Sequence, residues 1–74
     1  MQPLLVAYMG ATIHPIVTRN ASGFTCMAII AEPGRERRGS GMLGTFETEA
    51  EASQYAVAFG RSEIERHRLM TLIC

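Results

Sequence analysis

The sequence predicts a small α+β domain, a three-stranded antiparallel sheet packed by one C-terminal helix in the order βββα. Three observations carry this. Residues 11–46 fall into segments rich in β-branched and aromatic residues, separated by turn-forming clusters. Residues 49–66 repeat apolar side chains at helical spacing. Between them, Gly44-Thr45-Phe46-Glu47-Thr48-Glu49-Ala50-Glu51-Ala52 marks the handover from strand to helix. There Thr48 can cap the new helix, Glu51 three residues on completes a capping box, and Glu49 and Glu51 put negative charge where the helix dipole favours it.

The first strand spans Ala11 to Arg19, with Thr12, Ile13, Ile16 and Val17 as its β-branched residues. Pro15 removes a ladder donor, so this strand is expected at an edge or bent there. Asn20-Ala21-Ser22-Gly23 reads as a turn, because Asn and Gly tolerate positive φ. Phe24 to Ala31 is the clearest strand, closed by Glu32-Pro33-Gly34; Arg35 to Arg38 form a charged hairpin tip, and Gly39 to Phe46 return as a third strand weakened by glycines. In the helix, Ala52, Tyr55, Ala56, Phe59 and Ile64 fall on one side, with Gly60 inside the stripe as a point of close contact with the sheet or a local bend. The apolar N-terminal segment 1–10 and the tail Leu69-Met70-Thr71-Leu72-Ile73-Cys74 complete one domain, 1–74. So apolar a tail is expected to pack on its own domain or on a neighbour.

Alternation along the central strand sets Phe24, Cys26, Ala28 and Ile30 on one face and Thr25, Met27, Ile29 and Ala31 on the other. One helix covers one face, and the second should then be polar. It carries Met27 and Ile29 instead. The N-terminal segment, the C-terminal tail or a second copy is expected to cover that face, and because a core this small supplies only about 3–5 kcal/mol, a second copy is the economical expectation. The residues assigned to self-association are Met27, Ile29, Leu69, Leu72 and Ile73, and the partner is a second chain in a homodimer.

Composition excludes several classes. The chain has 74 residues, 7 arginines, no lysine and 7 glutamates, for a net charge of zero. Residues 1–46 carry four arginines against two glutamates, and residues 47–74 carry five glutamates against three arginines. That balance argues against a dedicated nucleic-acid or membrane-surface protein. The run Pro3 to Met9 lacks the basic flank of a signal peptide and is too short to span a bilayer, so a reducing cytoplasm is the expected compartment. Cys26 reads as a small core residue; Cys74 could bridge two chains only under oxidising conditions.

No chemistry-bearing constellation survives inspection. Gly39-Ser40-Gly41-Met42-Leu43-Gly44 is a literal GxGxxG, with Glu63 or Glu65 about twenty residues on as a dinucleotide fingerprint requires. Such a motif must open a helix at once, whereas Thr45-Phe46-Glu47 intervene before the cap. Two histidines and two cysteines lack zinc-ligand spacing. Cys26 with His14 on the adjacent strand is the one nucleophile–base pair to consider, and nothing lowers the thiol pKa. No catalytic residue, metal or cofactor is assigned, and the chain is read as a non-enzyme. The single basic cluster is Arg35, Arg37 and Arg38, with Arg19 placed nearby; arginine forks suit phosphates, and a hairpin can enter a major groove. A DNA- or RNA-binding module using the Arg35–Arg38 hairpin is therefore the alternative function.

Leu43-Gly44-Thr45-Phe46-x-Thr48-x-x-Glu51-Ala52, preceded by Ala28-Ile29 and the Pro33 turn, resembles the ethylene-response-factor type DNA-binding domain of plants and the similar arm-binding domains of phage integrases. The resemblance covers residues 24–59 and implies three antiparallel strands with one packed helix. In those domains the sheet reads the major groove with arginines and tryptophans. This chain has no tryptophan and offers Thr25, Met27, Ile29, His14, Ile16 and Thr18 there, so no base-reading residue carries over. The plan is also similar to that of small uncharacterised proteobacterial βββα proteins, for which no activity is implied.

Overall fold

A computed structural model describes the backbone of residues 5–73 and the side-chain surroundings of residues 5–69. It is a small α+β domain in two layers, an antiparallel sheet under one C-terminal helix, measuring 44 × 22 × 17 Å. The strands are β1 (Val6–Tyr8), β2 (Ala11–Asn20), β3 (Gly23–Ala31), β4 (Arg38–Gly39) and β5 (Gly44–Phe46), and the helix is α1 (Glu49–Ile73). In the sheet β2 lies between β1 and β3, and β4 and β5 both line the far side of β3.

The chain enters through a hairpin the composition did not advertise. Tyr8 pairs with Ala11 across the two-residue turn Met9-Gly10, whose φ angles are 52° and 83°. Positive φ at both positions is the type I′ geometry that matches strand twist, normally supplied by Asn-Gly. The β2–β3 hairpin runs in unbroken register from Thr12↔Ala31 to Asn20↔Gly23. Its turn closes as an Asx-turn, with the Ser22 amide donating to Asn20 Oδ1 at 2.9 Å.

Pro15 sits inside β2 without cost, for a reason visible in the register. Its partner Ala28 directs both backbone groups away from β2, toward Ser40: the Ser40 amide donates to the Ala28 carbonyl at 2.9 Å, and the Ala28 amide donates to Ser40 Oγ at 2.9 Å. The Pro15 nitrogen therefore faces the opposite side, where the described pairing with β1 has ended at Ile13. Among the described residues, no ladder bond calls for a donor at Pro15.

The third sequence segment is two short strands, not one. Cys26 pairs with Gly44 and Ile29 with Gly39, so three steps along β3 face five steps of the partner. The two extra residues form a bulge, held by the Ser40 bonds and by the Leu43 amide donating to the Cys26 carbonyl at 2.8 Å. An even insertion keeps every side chain on its original face. The literal GxGxxG is this bulge, and it opens no helix.

The helix begins at the expected Thr48 cap. The Glu51 amide donates to Thr48 Oγ1 at 3.1 Å, and the Ala52 amide to the Thr48 carbonyl at 3.2 Å. It continues beyond Arg66 through Ile73, so residues 69–73 extend the helix rather than forming a separate packed segment. Nothing after His67 breaks a helix, and leucine and methionine favour one. Helix and sheet meet through small residues. Ala52 and Ala56 on α1, Ala11 and Ala28 on the strands, Cys26 and Ile30 are buried, and Ile13 and Ile64 are the largest side chains fully enclosed. At Gly60 the layers touch: a Cβ there would lie 2.6 Å from Ile13 Cγ2. Tyr55, expected on the buried stripe, is instead 46% exposed at the margin, its ring 5.2 Å from that of Phe46.

Candidate interaction face

Register and burial divide the strands between two faces. Ala11, Ile13, Cys26, Ala28 and Ile30 are buried beneath α1, and Val6, Tyr8, Val17, Phe24 and Phe46 pack around them. The opposite face is built of cross-strand pairs: Thr12 with Ala31, His14 with Ile29, Ile16 with Met27, Thr18 with Thr25, and Thr25 in turn with Thr45. Ala7 joins it from β1 and Gly39 from β4. Met27 lies over Gly39, where a Cβ would meet its Cε at 3.7 Å. His14, Ile16, Met27, Ile29 and Ala31 are all half-buried by their neighbours.

None of these residues carries a formal charge, although the chain has 14 Arg and Glu residues. The central rungs, His14–Ile29 and Ile16–Met27, are apolar apart from one imidazole. A solvated antiparallel face is ordinarily polar, and these two rungs depart from that pattern. It measures about 30 Å by about 14 Å, or about 400 Å², from nine residues of strand and four strand positions.

The residues assigned to self-association do not share this surface. Met27 and Ile29 lie on it. Leu69 lies on α1, 59% exposed, and five residues beyond the enclosed Ile64 it is rotated about 140° around the helix. It therefore points away from the sheet altogether. The side chains of Leu72 and Ile73 lie outside the described residues. The register sets the expected residues of the two strands side by side on this face, His14 with Ile29, Ile16 with Met27 and Thr12 with Ala31.

The arginines are likewise dispersed. Arg19 pairs with Phe24 and Arg38 with Ile30, which separates them by about 20 Å along β3. Arg19 is therefore not near the hairpin cluster. Glu32 gathers two of the others: Arg35 Nε lies 3.6 Å and Arg38 Nη2 3.4 Å from its carboxylate. Arg38 Nη1 also donates to His67 Nε2 at 3.1 Å, and His67 Nδ1 stands 3.5 Å from Glu32 Oε2. A guanidinium can only donate, so Nε2 accepts and the ring proton is left on Nδ1, facing the carboxylate. This cluster ties the loop after β3, β4 and the helix together. It consumes two of the three hairpin arginines and leaves Arg37 exposed.

The considered nucleophile pair is split by the sheet. Cys26 faces the helix, 3% exposed, and His14 faces the open side. Burial pushes the Cys26 thiol pKa up, the reverse of what a nucleophile needs. In the C-terminal half of the helix, the Tyr8 hydroxyl donates to Glu65, Arg61 lies 5.5 Å from the centre of the Tyr8 ring, and Arg68 donates to the Met9 carbonyl. These contacts fasten the first hairpin to α1. The hydrogen bond to Glu65 raises the Tyr8 pKa, with desolvation and the Glu65 charge adding to it and Arg61 opposing.

Among the described residues, no group of three or more His, Cys, Asp or Glu could hold a metal ion, and no helix is long and apolar enough to cross a membrane. Comparison with protein-family models, curated proteins and solved structures gave no match to this chain.

Proposed function

We propose that the chain is a non-catalytic interaction module that forms a homodimer through the open face of its sheet, in a reducing cytoplasm. The observation that carries this reading is the uncharged row His14, Ile16, Met27 and Ile29 across the two central strands. A face with charge of one sign repels itself; this face bears no formal charge and suits a second copy. Full burial of such a side chain contributes roughly 1.5–3 kcal/mol, and because Met27 and Ile29 are already half-buried a second copy adds only the remaining part of that. The face offers about half of the roughly 800 Å² per partner of a standard interface, so the dimer is weak and dissociates on dilution. Leu69, on the helical layer, stands apart from this interface.

Sedimentation equilibrium over a concentration series tests the reading. The wild-type chain should shift from monomer to dimer, and Ile29→Asp should stay monomeric while keeping its circular dichroism spectrum. A wild type that remains monomeric at millimolar concentration refutes the proposal. Should the chain instead bind a mixed-sequence DNA duplex, with affinity falling steeply with salt and lost in Arg37→Ala, the nucleic-acid reading replaces it.

A further inference from the structure

We infer that His14 makes association through the open face dependent on pH, the dimer forming when the imidazole is neutral and coming apart when it is charged. This rests on the proposed self-association, and it assigns that same surface a control.

His14 pairs with Ile29, on a central rung beside the Ile16–Met27 rung. It is half-buried before any partner arrives. Histidine is the side chain whose charge changes between about pH 5 and pH 8. What faces it decides what that change does. Along β2 its same-face neighbours are Thr12 and Ile16; from β3 come Met27, Ile29 and Ala31, from β1 Ala7, from β4 Gly39 and from β5 Thr45. None of these is acidic, basic or otherwise ionisable, and α1 packs on the other face. A charged imidazole enclosed here meets no carboxylate among the described strand residues of this face. By symmetry, the second copy's open face brings none from the other side. Burying an unpaired charge is costly unless it is neutralised. Protonation therefore opposes docking in both copies at once. The other histidine, His67, lies on the helix beside Glu32 and Arg38, remote from this face.

The test measures the dimer dissociation constant of the wild-type chain and of His14→Gln by sedimentation equilibrium, at about pH 8 and about pH 5.5. The wild-type Kd should rise at least about tenfold on acidification, a factor set by proton uptake in both copies. In His14→Gln the ratio of the two constants should fall to about one, whatever the variant's absolute affinity. A wild-type Kd that is the same at both pH values overturns the inference while leaving self-association intact. A His14→Gln variant that keeps the wild-type ratio overturns it too, since another group then carries the dependence. A wild type that is monomeric at both pH values overturns self-association, and the inference with it.

Discussion

Gly60 sets the distance between the helix and the sheet, and a single methyl group tests this. A Cβ at position 60 would lie 2.6 Å from Ile13 Cγ2 and 2.9 Å from both Cγ1 and Cδ1. Ile13 is 0% exposed, and its β-branched side chain in a paired strand has little freedom to turn aside. Replacing glycine by alanine within a helix gains about 1 kcal/mol of propensity. Forcing a methyl into a packed core costs about 1–3 kcal/mol. Three contacts below 3.0 Å on an enclosed side chain place Gly60→Ala at the costly end, a net loss of about 1–2 kcal/mol. In an Ile13→Ala background the obstructing atoms are gone. The same Gly60→Ala change should then stabilise by about 1 kcal/mol, its propensity gain realised. The sign reverses, a coupling of about 2–3 kcal/mol between residues in contact. Urea unfolding followed by circular dichroism measures all four proteins at one chain concentration. Ile13→Ala alone removes about 2–5 kcal/mol, so the series is run in a fixed concentration of sucrose, which strengthens burial equally in each. Gly60→Ala stabilising the wild-type background, or having the same effect in both backgrounds, refutes the account of the close contact.

Two further perturbations follow from the same geometry. Met9→Asn supplies the residue that a type I′ turn favours at a position now held at φ 52°, and it should stabilise by about 1 kcal/mol in urea unfolding; a loss of stability would show that the methionine side chain contributes more than its backbone strain costs. Tyr8, whose folded-state pKa is raised by its bond to Glu65, contributes stability that is complete below the ordinary tyrosine pKa, about 10, and is lost as pH climbs through the folded value. Tyr8→Phe should therefore be less stable than wild type at neutral pH, with the difference closing in strong alkali; a difference that widens with alkali contradicts the direction of the shift.

The β2–β3 hairpin was legible because its signals are local: β-branched residues fill the strands, and Asn20 and Gly23 punctuate the turn. The helix start was legible for the same reason, since Thr48 and Glu51 are capping residues at fixed spacing. Gly60 stood out as a glycine within an apolar stripe, and the structure assigns it close contact rather than a bend. What escaped was set by tertiary context. β1 is three residues long, and Met9-Gly10 lacks the Asn-Gly pair that announces its turn type. The break between β4 and β5 depends on Ser40 replacing a ladder bond with its hydroxyl, which periodicity does not register. The helix runs past Arg66 because none of residues 69–73 interrupts helical geometry, although their apolar run reads as a packed tail. Of the open face, alternation gave Thr25, Met27, Ile29 and Ala31 on β3 and His14, Ile16 and Thr18 on β2. What the register adds is the pairing: from Asn20↔Gly23 it sets His14 beside Ile29 and Ile16 beside Met27. The grouping of Leu69 with that face failed because helical phase, not proximity in the chain, decides which layer a residue serves.

The most direct test of the central claim is an isotope-filtered nuclear Overhauser experiment on an equal mixture of labelled and unlabelled chains near pH 8. The account predicts intermolecular contacts at the methyl groups of Ile16, Met27 and Ile29, weakening on dilution. Intermolecular contacts confined to Leu69 and the helix end, or none at millimolar concentration, would contradict it.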